Sequence, residues 1–241
     1  MVFISLLFYA LLVTVFLLSV LANGRKYMLM FVGYLLLILF FIFVRKGIII
    51  GYLRGNAVRV TNRQFPDILR VAEEQAQKLG ISTIPNIYIL QAGGSLNALI
   101  TRFLGGNYIV LFSDLAEAGF TRGNKSLSFI LGHELAHIKR KHILKRALVF
   151  PSYIIPFLSL AYSRACEYTC DRIGVSVSSP EGAQHGLLML AGGKTLFQQI
   201  DIHDYIISAR KTSGFWQWVS EKLSTHPHLT KRLSRLFEIR Y

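Results

Sequence analysis

Residues 126–142 read SLSFILGHELAHIKRKH, and this stretch decides the fold and the chemistry that we expect. Its apolar residues recur every three or four positions, which is the spacing of an amphipathic helix, and Ser126 is a suitable N-cap. We therefore predict a long helix over residues 126–149. Positions four apart in a helix share one face, so His133 and His137 should point the same way.

The pattern His133-Glu134-x-x-His137 is typical of a zinc site. Two imidazoles one turn apart can bind the same Zn²⁺, and Glu134 can act as a general base on water at the metal. Such a match also arises by chance. The alternative to a metal site is a charged helix face with two incidental histidines, continued by the basic run Lys139–His142. We favour the metal site because the motif falls inside a strongly periodic helix.

A catalytic zinc site needs a third protein ligand. One class of zinc site takes its third ligand from a histidine six residues after the second motif histidine. Ile143 occupies that position here, so this class of site is excluded. Another class takes a glutamate from a later helix, and Glu167 fits this description. Asp171 lies one turn beyond Glu167 on the same face, where it could accept a hydrogen bond from the outer nitrogen of a ligating histidine.

The first fifth of the chain has the pattern of a membrane anchor. Residues 2–22 and 27–44 carry no charged side chain, and Arg25 and Lys26 lie in the polar turn between them. About 20 apolar residues cross a bilayer as a helix, so we predict a transmembrane hairpin over residues 1–53. The alternative for the first run is a cleaved signal peptide, but no basic region precedes it and the run is longer than such a segment needs.

The positive charges predict an orientation and a class of partner. Two basic residues lie in the turn and five follow the second run, so the heavier side should face the cytoplasm; these five are Arg45, Lys46, Arg54, Arg59 and Arg63. The net charge of +14 could serve a nucleic-acid binder. With two spans present, we instead assign it to an anionic membrane leaflet and expect no nucleic-acid partner.

Residues 54–241 have the pattern of one α+β domain. Segments with the composition of strands, separated by Gly-Gly turns, predict a small antiparallel sheet; they cover residues 86–90, 96–103 and 108–112. Helical patterns then continue towards the C-terminus. The uncharged residues 147–162 are too few for a straight span, and we interpret them as a segment that dips into the membrane. Two cysteines, Cys166 and Cys170, do not suggest a disulfide framework, and we expect buried thiols.

These motifs resemble those of the HtpX-like membrane metallopeptidases, which are related to the CAAX prenyl endopeptidases and the Oma-type proteases. The resemblance rests on His133-Glu134-x-x-His137 followed by Ser163-Arg164-Ala165-Cys166-Glu167-x-x-x-Asp171, and it extends over most of residues 60–240. It implies a mostly helical, gluzincin-type catalytic domain. It also implies one Zn²⁺ per chain, held by His133, His137 and Glu167.

The same resemblance implies further site residues. Ser95-Leu96-Asn97-Ala98 is similar to the family's edge-strand region, where the Asn-Ala dipeptide lines the substrate cleft. Thr225-His226-Pro227-His228 with Arg232 is similar to its late His-Pro element, which implies an oxyanion donor in His226 and a supporting role for Arg232. The alternative without a catalytic role is a turn residue for Asn97 and a residue in the N-terminal turn of a helix for His226.

Together these features predict an integral membrane zinc endopeptidase of a bacterial or archaeal cell membrane, with its catalytic domain facing the cytoplasm. We expect it to be a hydrolase of membrane or misfolded polypeptides, with a role in protein quality control. One alternative is a catalytically silent scaffold of the same fold, although no ligand or base is missing. The other is a CAAX-type prenyl-protein peptidase, although those enzymes have more spans. The HtpX-like family itself has two further spans where this chain has residues 147–162.

Overall fold

The computed structural model describes residues 2–94, 96–120, 125–149, 155 and 157–239. It is mostly helical with one small sheet, which confirms the predicted α+β class. The helices are α1 Val2–Asn23, α2 Arg25–Asn56, α3 Pro66–Lys78, α4 Ser113–Phe120, α5 Lys125–Lys139, α6 His142–Leu148, α7 Leu158–Val177, α8 Pro180–Leu196, α9 Ile202–Lys211, α10 Phe215–Leu223 and α11 Leu229–Leu236, with a 3-10 turn at Phe197–Gln199. The strands are β1 Val58–Arg59, β2 Asn86–Leu90, β3 Ala98–Phe103 and β4 Gly106–Phe112.

Helices α1 and α2 form the predicted N-terminal hairpin. Both are long and apolar enough to cross a membrane, over Phe3–Ala22 and Lys26–Asn56. The residue between them, Gly24, has φ of 71°, a left-handed conformation that glycine adopts without steric cost. Most of the large apolar side chains of the two helices are exposed in the isolated chain, as expected of surfaces that face lipid.

The last turns of α2 belong to the folded domain. Ile50 and Leu53 are buried against Tyr88, Tyr108 and Val110 on one face of the sheet. The helix has 32 residues and is therefore about 48 Å long, so it extends beyond a hydrocarbon core of about 30 Å. The boundary that we predicted at residue 53 thus falls inside a continuous helix.

The sheet is mixed, so the prediction of a purely antiparallel sheet is wrong in this detail. Its strand order is β1-β2-β4-β3; β2 pairs parallel with β4, and the outer pairs are antiparallel. The chain passes from β2 to the edge strand β3 and returns through Leu104-Gly105, so that β4 lies between them. Strand β4 has the longest buried run of the four strands, and burial of Ile109, Val110 and Leu111 is consistent with its central position.

Helix α5 is at the centre of the main core, on the opposite face of the sheet from α2. All its residues from Phe129 to His137 are buried, and it packs against α3, α7 and α8. Its close approach to α7 depends on two glycines. A Cβ at Gly132 would lie 2.8 Å from Val177, and one at Gly174 would lie 3.1 Å from Phe129. This close packing brings the α5 motif next to Glu167 on α7.

The long helix predicted over residues 126–149 is interrupted. Helix α5 ends at Lys139, Lys141 is left-handed with φ of 54°, and α6 begins at His142. A left-handed residue is a common way to end a helix, and three consecutive cations, from Lys139 to Lys141, suit the negative end of the helix dipole. The break turns His142 back towards α5.

The segment predicted to dip into the membrane lies partly outside the described residues. Within residues 147–162, positions 150–154 and 156 are not described. Leu158–Tyr162 forms the first turns of α7.

Candidate metal centre

Three buried side chains from α5 and α7 converge on one point. Nε2 of His133 lies 3.3 Å from Nε2 of His137 and 3.3 Å from a carboxylate oxygen of Glu167. The other Glu167 oxygen lies 3.5 Å from Nε2 of His137. The spacing of four residues on α5 aligns the two imidazoles, and the glycine-mediated contact of α5 with α7 brings the glutamate to them.

These donors fit a small divalent cation. An ion with tetrahedral coordination and donors at about 2.0–2.1 Å needs donor atoms about 3.3–3.4 Å apart. The distances of 3.3, 3.3 and 3.5 Å between the nitrogen and oxygen atoms of the three side chains are close to this. The charges also fit, because the carboxylates of Glu134, Glu167 and Asp171 are buried here with one guanidinium, that of Arg232. Buried charges need compensation, and a dication would supply it.

Behind His133, two further charged residues form a chain. Oδ1 of Asp171 lies 2.9 Å from Nδ1 of His133, although the contact does not meet the angular requirement of a hydrogen bond. Arg232 binds both Asp171 oxygens, with Nε donating to Oδ2 at 2.7 Å and Nη2 donating to Oδ1. Both residues are almost fully buried. The carboxylate that we predicted to orient a ligating histidine therefore lies behind His133, and Arg232 fixes it.

The electrostatics of the site set the protonation of each donor. Burial lowers the pKa of His133, but the carboxylates of Asp171 and Glu167 outweigh burial and raise it to about 10. Burial and the charge of His133 lower the pKa of His137 to about 3. His137 is therefore ready to bind a metal, whereas a metal must displace a proton from His133. Burial raises the pKa of Glu134 to about 7 despite the opposing charge of His133.

Our sequence analysis missed His142, because in a continuous helix it would face away from the motif. In the structure, Nδ1 of His142 lies 3.2 Å from Nδ1 of His137, and Sγ of Cys170 lies 3.5 Å from the same His142 nitrogen. The three residues could also gather around an ion. Ions at both groups at once would require His137 to lose both ring protons, so beside a metal held by His133, His137 and Glu167 a hydrogen bond from His137 to His142 is the simpler arrangement. The basic run Lys139–Lys141 was the one sequence signal of a helix end.

The three donors lie at the floor of a cleft of about 470 Å³. Among the described strands, β3 lies at one edge of the sheet, and its N-terminal half lines the cleft together with Asn97. The side chain of Asn97 turns back on its own strand, where Oδ1 accepts from the amide of Ala98 at 2.9 Å. The structure thus places Asn97 and Ala98 on the cleft wall, with the side-chain oxygen of Asn97 hydrogen-bonded to the neighbouring backbone amide.

His226 lies at the mouth of the same cleft. Its Nε2 is 3.7 Å from a Glu167 oxygen, and its ring is largely exposed. Its Nδ1 lies 2.9 Å from the hydroxyl of Thr225. If that hydroxyl donates, the ring proton stays on Nε2, the nitrogen nearer the metal ligands. The late His-Pro element therefore approaches Glu167 on α7 and lines the same cleft as the motif histidines.

Comparison with known proteins agrees with this geometry. The model of Peptidase family M48 matches residues 62–154 and 148–240, well over half of the chain. A protein named Protease HtpX homolog, from Polynucleobacter necessarius subsp. necessarius (strain STIR1), is 26% identical over 235 residues, an alignment that covers 76% of this chain and 77% of that protein. No solved structure gives a significant match. The chain belongs to peptidase family M48, as an HtpX-like membrane metalloprotease.

Proposed function

We propose that this chain is a membrane-anchored zinc endopeptidase in which His133, His137 and Glu167 hold one Zn²⁺. The observation that carries the proposal is the convergence of these donors and a buried carboxylate, Glu134, at the floor of one cleft. Two imidazoles and a glutamate are a ligand set of catalytic zinc peptidases, and they leave a coordination position open.

The chain's own residues account for the proton transfers of peptide hydrolysis. Zn²⁺ at this site would supply a Lewis acid that activates water and polarises the scissile carbonyl. Glu134 accepts the proton of the attacking water and passes it to the leaving amine. Without a bound metal, burial raises the pKa of Glu134 to about 7, and a nearby dication would favour the carboxylate form that accepts the first proton.

The cleft walls suggest how a peptide is held. An extended segment can pair with the edge strand β3, and this pairing would recognise backbone rather than sequence. Asn97 and Ala98 then lie beside the substrate. His226, with its proton on Nε2, donates to the oxyanion that forms at the scissile carbonyl. Arg232 acts indirectly, since its guanidinium is bound to Asp171.

The anchor suggests the class of substrate and the location. Helix α1 and the apolar part of α2 hold the catalytic domain beside the bilayer, which favours exposed segments of membrane or misfolded proteins as substrates. The distribution of basic residues supports a domain on the cytoplasmic side of a bacterial or archaeal membrane. Recognition of backbone rather than sequence, through pairing with β3, suits a protease of protein quality control.

The decisive test combines zinc content with proteolysis in detergent. Glu134→Gln should retain about one Zn²⁺ per chain and lose about 10²–10⁴-fold in the cleavage of casein, because the general base is lost. Glu73→Gln, an exposed change on α3, is the matched control and should behave as wild type. Cleavage by Glu134→Gln at the wild-type rate would refute the mechanism. Wild-type protein purified without chelators and found to contain no zinc would favour the silent-scaffold alternative.

A further inference from the structure

Helix α10 has its amphipathic character reversed. Helices of globular proteins turn their apolar stripe towards the core. In α10 the buried residue is Glu221, whereas the apolar residues Phe215, Trp216, Trp218 and Leu223 are exposed. Phe215 and Trp216 expose 67% and 78% of their surface. At about 100° per residue, these four side chains occupy one side of the helix.

The exposed side chains form one contiguous patch. The ring of Phe215 lies 5.2 Å from the ring of Trp216 and 6.3 Å from that of Trp218, measured between centroids. The ammonium of Lys222 lies 5.8 Å from the Trp218 ring, and Lys211 precedes the helix. Lys222 follows Phe215 by seven residues and therefore lies on the same side of the helix as the rings, in its last turn. Isolated exposed apolar residues are ordinary, but a cluster of aromatic rings accompanied by cations marks an interaction surface.

Buried polar contacts hold the patch outward. The guanidinium Nη1 of Arg164, on α7, donates to the carbonyls of Glu221, Lys222 and Ser224 at 3.0, 3.0 and 2.9 Å. The Glu221 carboxylate pairs with Lys231 on α11. Arg164 is buried, and a cation at a helix C-terminus binds the carbonyls that lack helical partners. The outward direction of the aromatic rings is thus fixed by the fold.

The helix that holds α10 also borders the membrane anchor. Tyr162 and Cys166 on α7 line a cavity of about 660 Å³ together with Leu6 and Tyr9, from the first turns of α1. Arg164 lies between these two α7 residues. Because residues two apart point to opposite sides of a helix, the anchor and α10 pack on opposite sides of α7, at the same level along its axis. The turns of α7 that border the anchor therefore also carry α10.

We propose that α10 is an interfacial helix whose aromatic face inserts into the bilayer on the side that carries the catalytic domain. Tryptophan and phenylalanine favour the zone between headgroups and acyl chains, and Lys211 and Lys222 suit anionic phospholipids. The occupant of the patch is the bilayer itself. Since α10 ends at Leu223, close to His226, this contact holds the cleft mouth against the membrane surface. The proposal depends on membrane anchoring and is independent of the zinc chemistry.

The sequence offers a direct probe, because Trp216 and Trp218 are the only two tryptophans. Tryptophan emission therefore reports on α10 alone. We would reconstitute the full-length Glu134→Gln protein, which avoids self-cleavage, into vesicles of phosphatidylcholine and phosphatidylglycerol. Acyl chains brominated near the headgroup should quench emission at least twofold relative to unbrominated chains. Acrylamide in the aqueous phase should quench less than it quenches a free tryptophan derivative.

Two variants assign the signal, and two outcomes overturn the proposal. Trp216→Tyr and Trp218→Tyr are exposed, conservative changes, and each should leave one lipid-quenched fluorophore. Full emission in brominated vesicles together with free access of acrylamide would show that the patch faces water, and the proposal would fail. It would also fail if quenching were absent and emission changed with protein density in the vesicles, which would identify a second copy of the chain as the occupant.

Discussion

Nδ1 of His142 lies 3.2 Å from Nδ1 of His137, the ring nitrogen opposite the one that approaches His133 and Glu167. Burial and the nearby cations of Lys145 and Arg140 lower the pKa of His142 to about 4, so its ring is neutral and Nδ1 can accept a hydrogen bond from His137. This contact is the counterpart of the Asp171 carboxylate behind His133. The outer nitrogen of each motif histidine therefore lies within 3.2 Å of a polar group on another residue.

From this contact we expect His142→Ala to weaken zinc binding about 10–100-fold, because residues behind metal-ligating histidines orient the ring and raise its basicity. Chelator competition on the purified protein measures the affinity. His142→Asn, which keeps a short acceptor, should recover part of the loss. His185→Ala, which removes an α8 histidine that packs against Phe197, is the control and should bind zinc normally. Equal affinities for His142→Ala and wild type would rule out the positioning role.

The buried pair of Arg232 and Asp171 leads to a prediction about stability. Arg232→Met removes the guanidinium and leaves the Asp171 carboxylate buried with less compensation, a change that costs about 3–5 kcal/mol in other proteins. For a chain of this size that corresponds to a fall of about 6–20 °C in Tm. Arg235→Met, an exposed change on the same helix that removes a contact with the Tyr168 ring, should lower Tm much less. Similar shifts for the two variants would contradict a structural role for the buried pair.

Some of the site followed from the sequence because helical spacing is local information. The four-residue step from His133 to His137, and the same step from Glu167 to Asp171, fix which side chains share a face, and the anchor follows from an uninterrupted apolar run. The left-handed turn at Lys141 could not be predicted, since its effect on His142 depends on how α6 packs. The parallel pairing of β2 with β4 and the outward face of α10 also depend on contacts between distant segments. Periodicity identifies an apolar face but does not specify what that face contacts.

The contact between α5 and α7 leads to a prediction about metal geometry. A Cβ at Gly174 would lie 3.1 Å from the Phe129 ring and 3.3 Å from the His133 amide, so Gly174→Ala should push α7 away from α5. We expect weaker zinc binding by chelator competition, because Glu167 on α7 would move away from the histidines. Gly55→Ala on α2, where nothing lies within 4 Å of the added Cβ, is the matched control and should not affect zinc. Unchanged zinc affinity in Gly174→Ala would mean that the two helices tolerate the extra carbon.

The packing of α2 against the sheet leads to a prediction about the anchor. Leu53 is buried against the face of the sheet that carries Tyr88 and Tyr108, whereas the metal donors lie beyond the opposite face. Leu53→Ala should therefore cost about 2–5 kcal/mol and lower Tm in detergent, because it leaves a cavity in this cluster, while zinc affinity stays unchanged. Leu39→Ala removes the same atoms from an exposed position of α2, which contacts detergent whether or not the domain is folded, and should leave Tm nearly unchanged. If both variants shifted Tm equally, α2 would be a tether whose last turns add nothing to the stability of the catalytic domain.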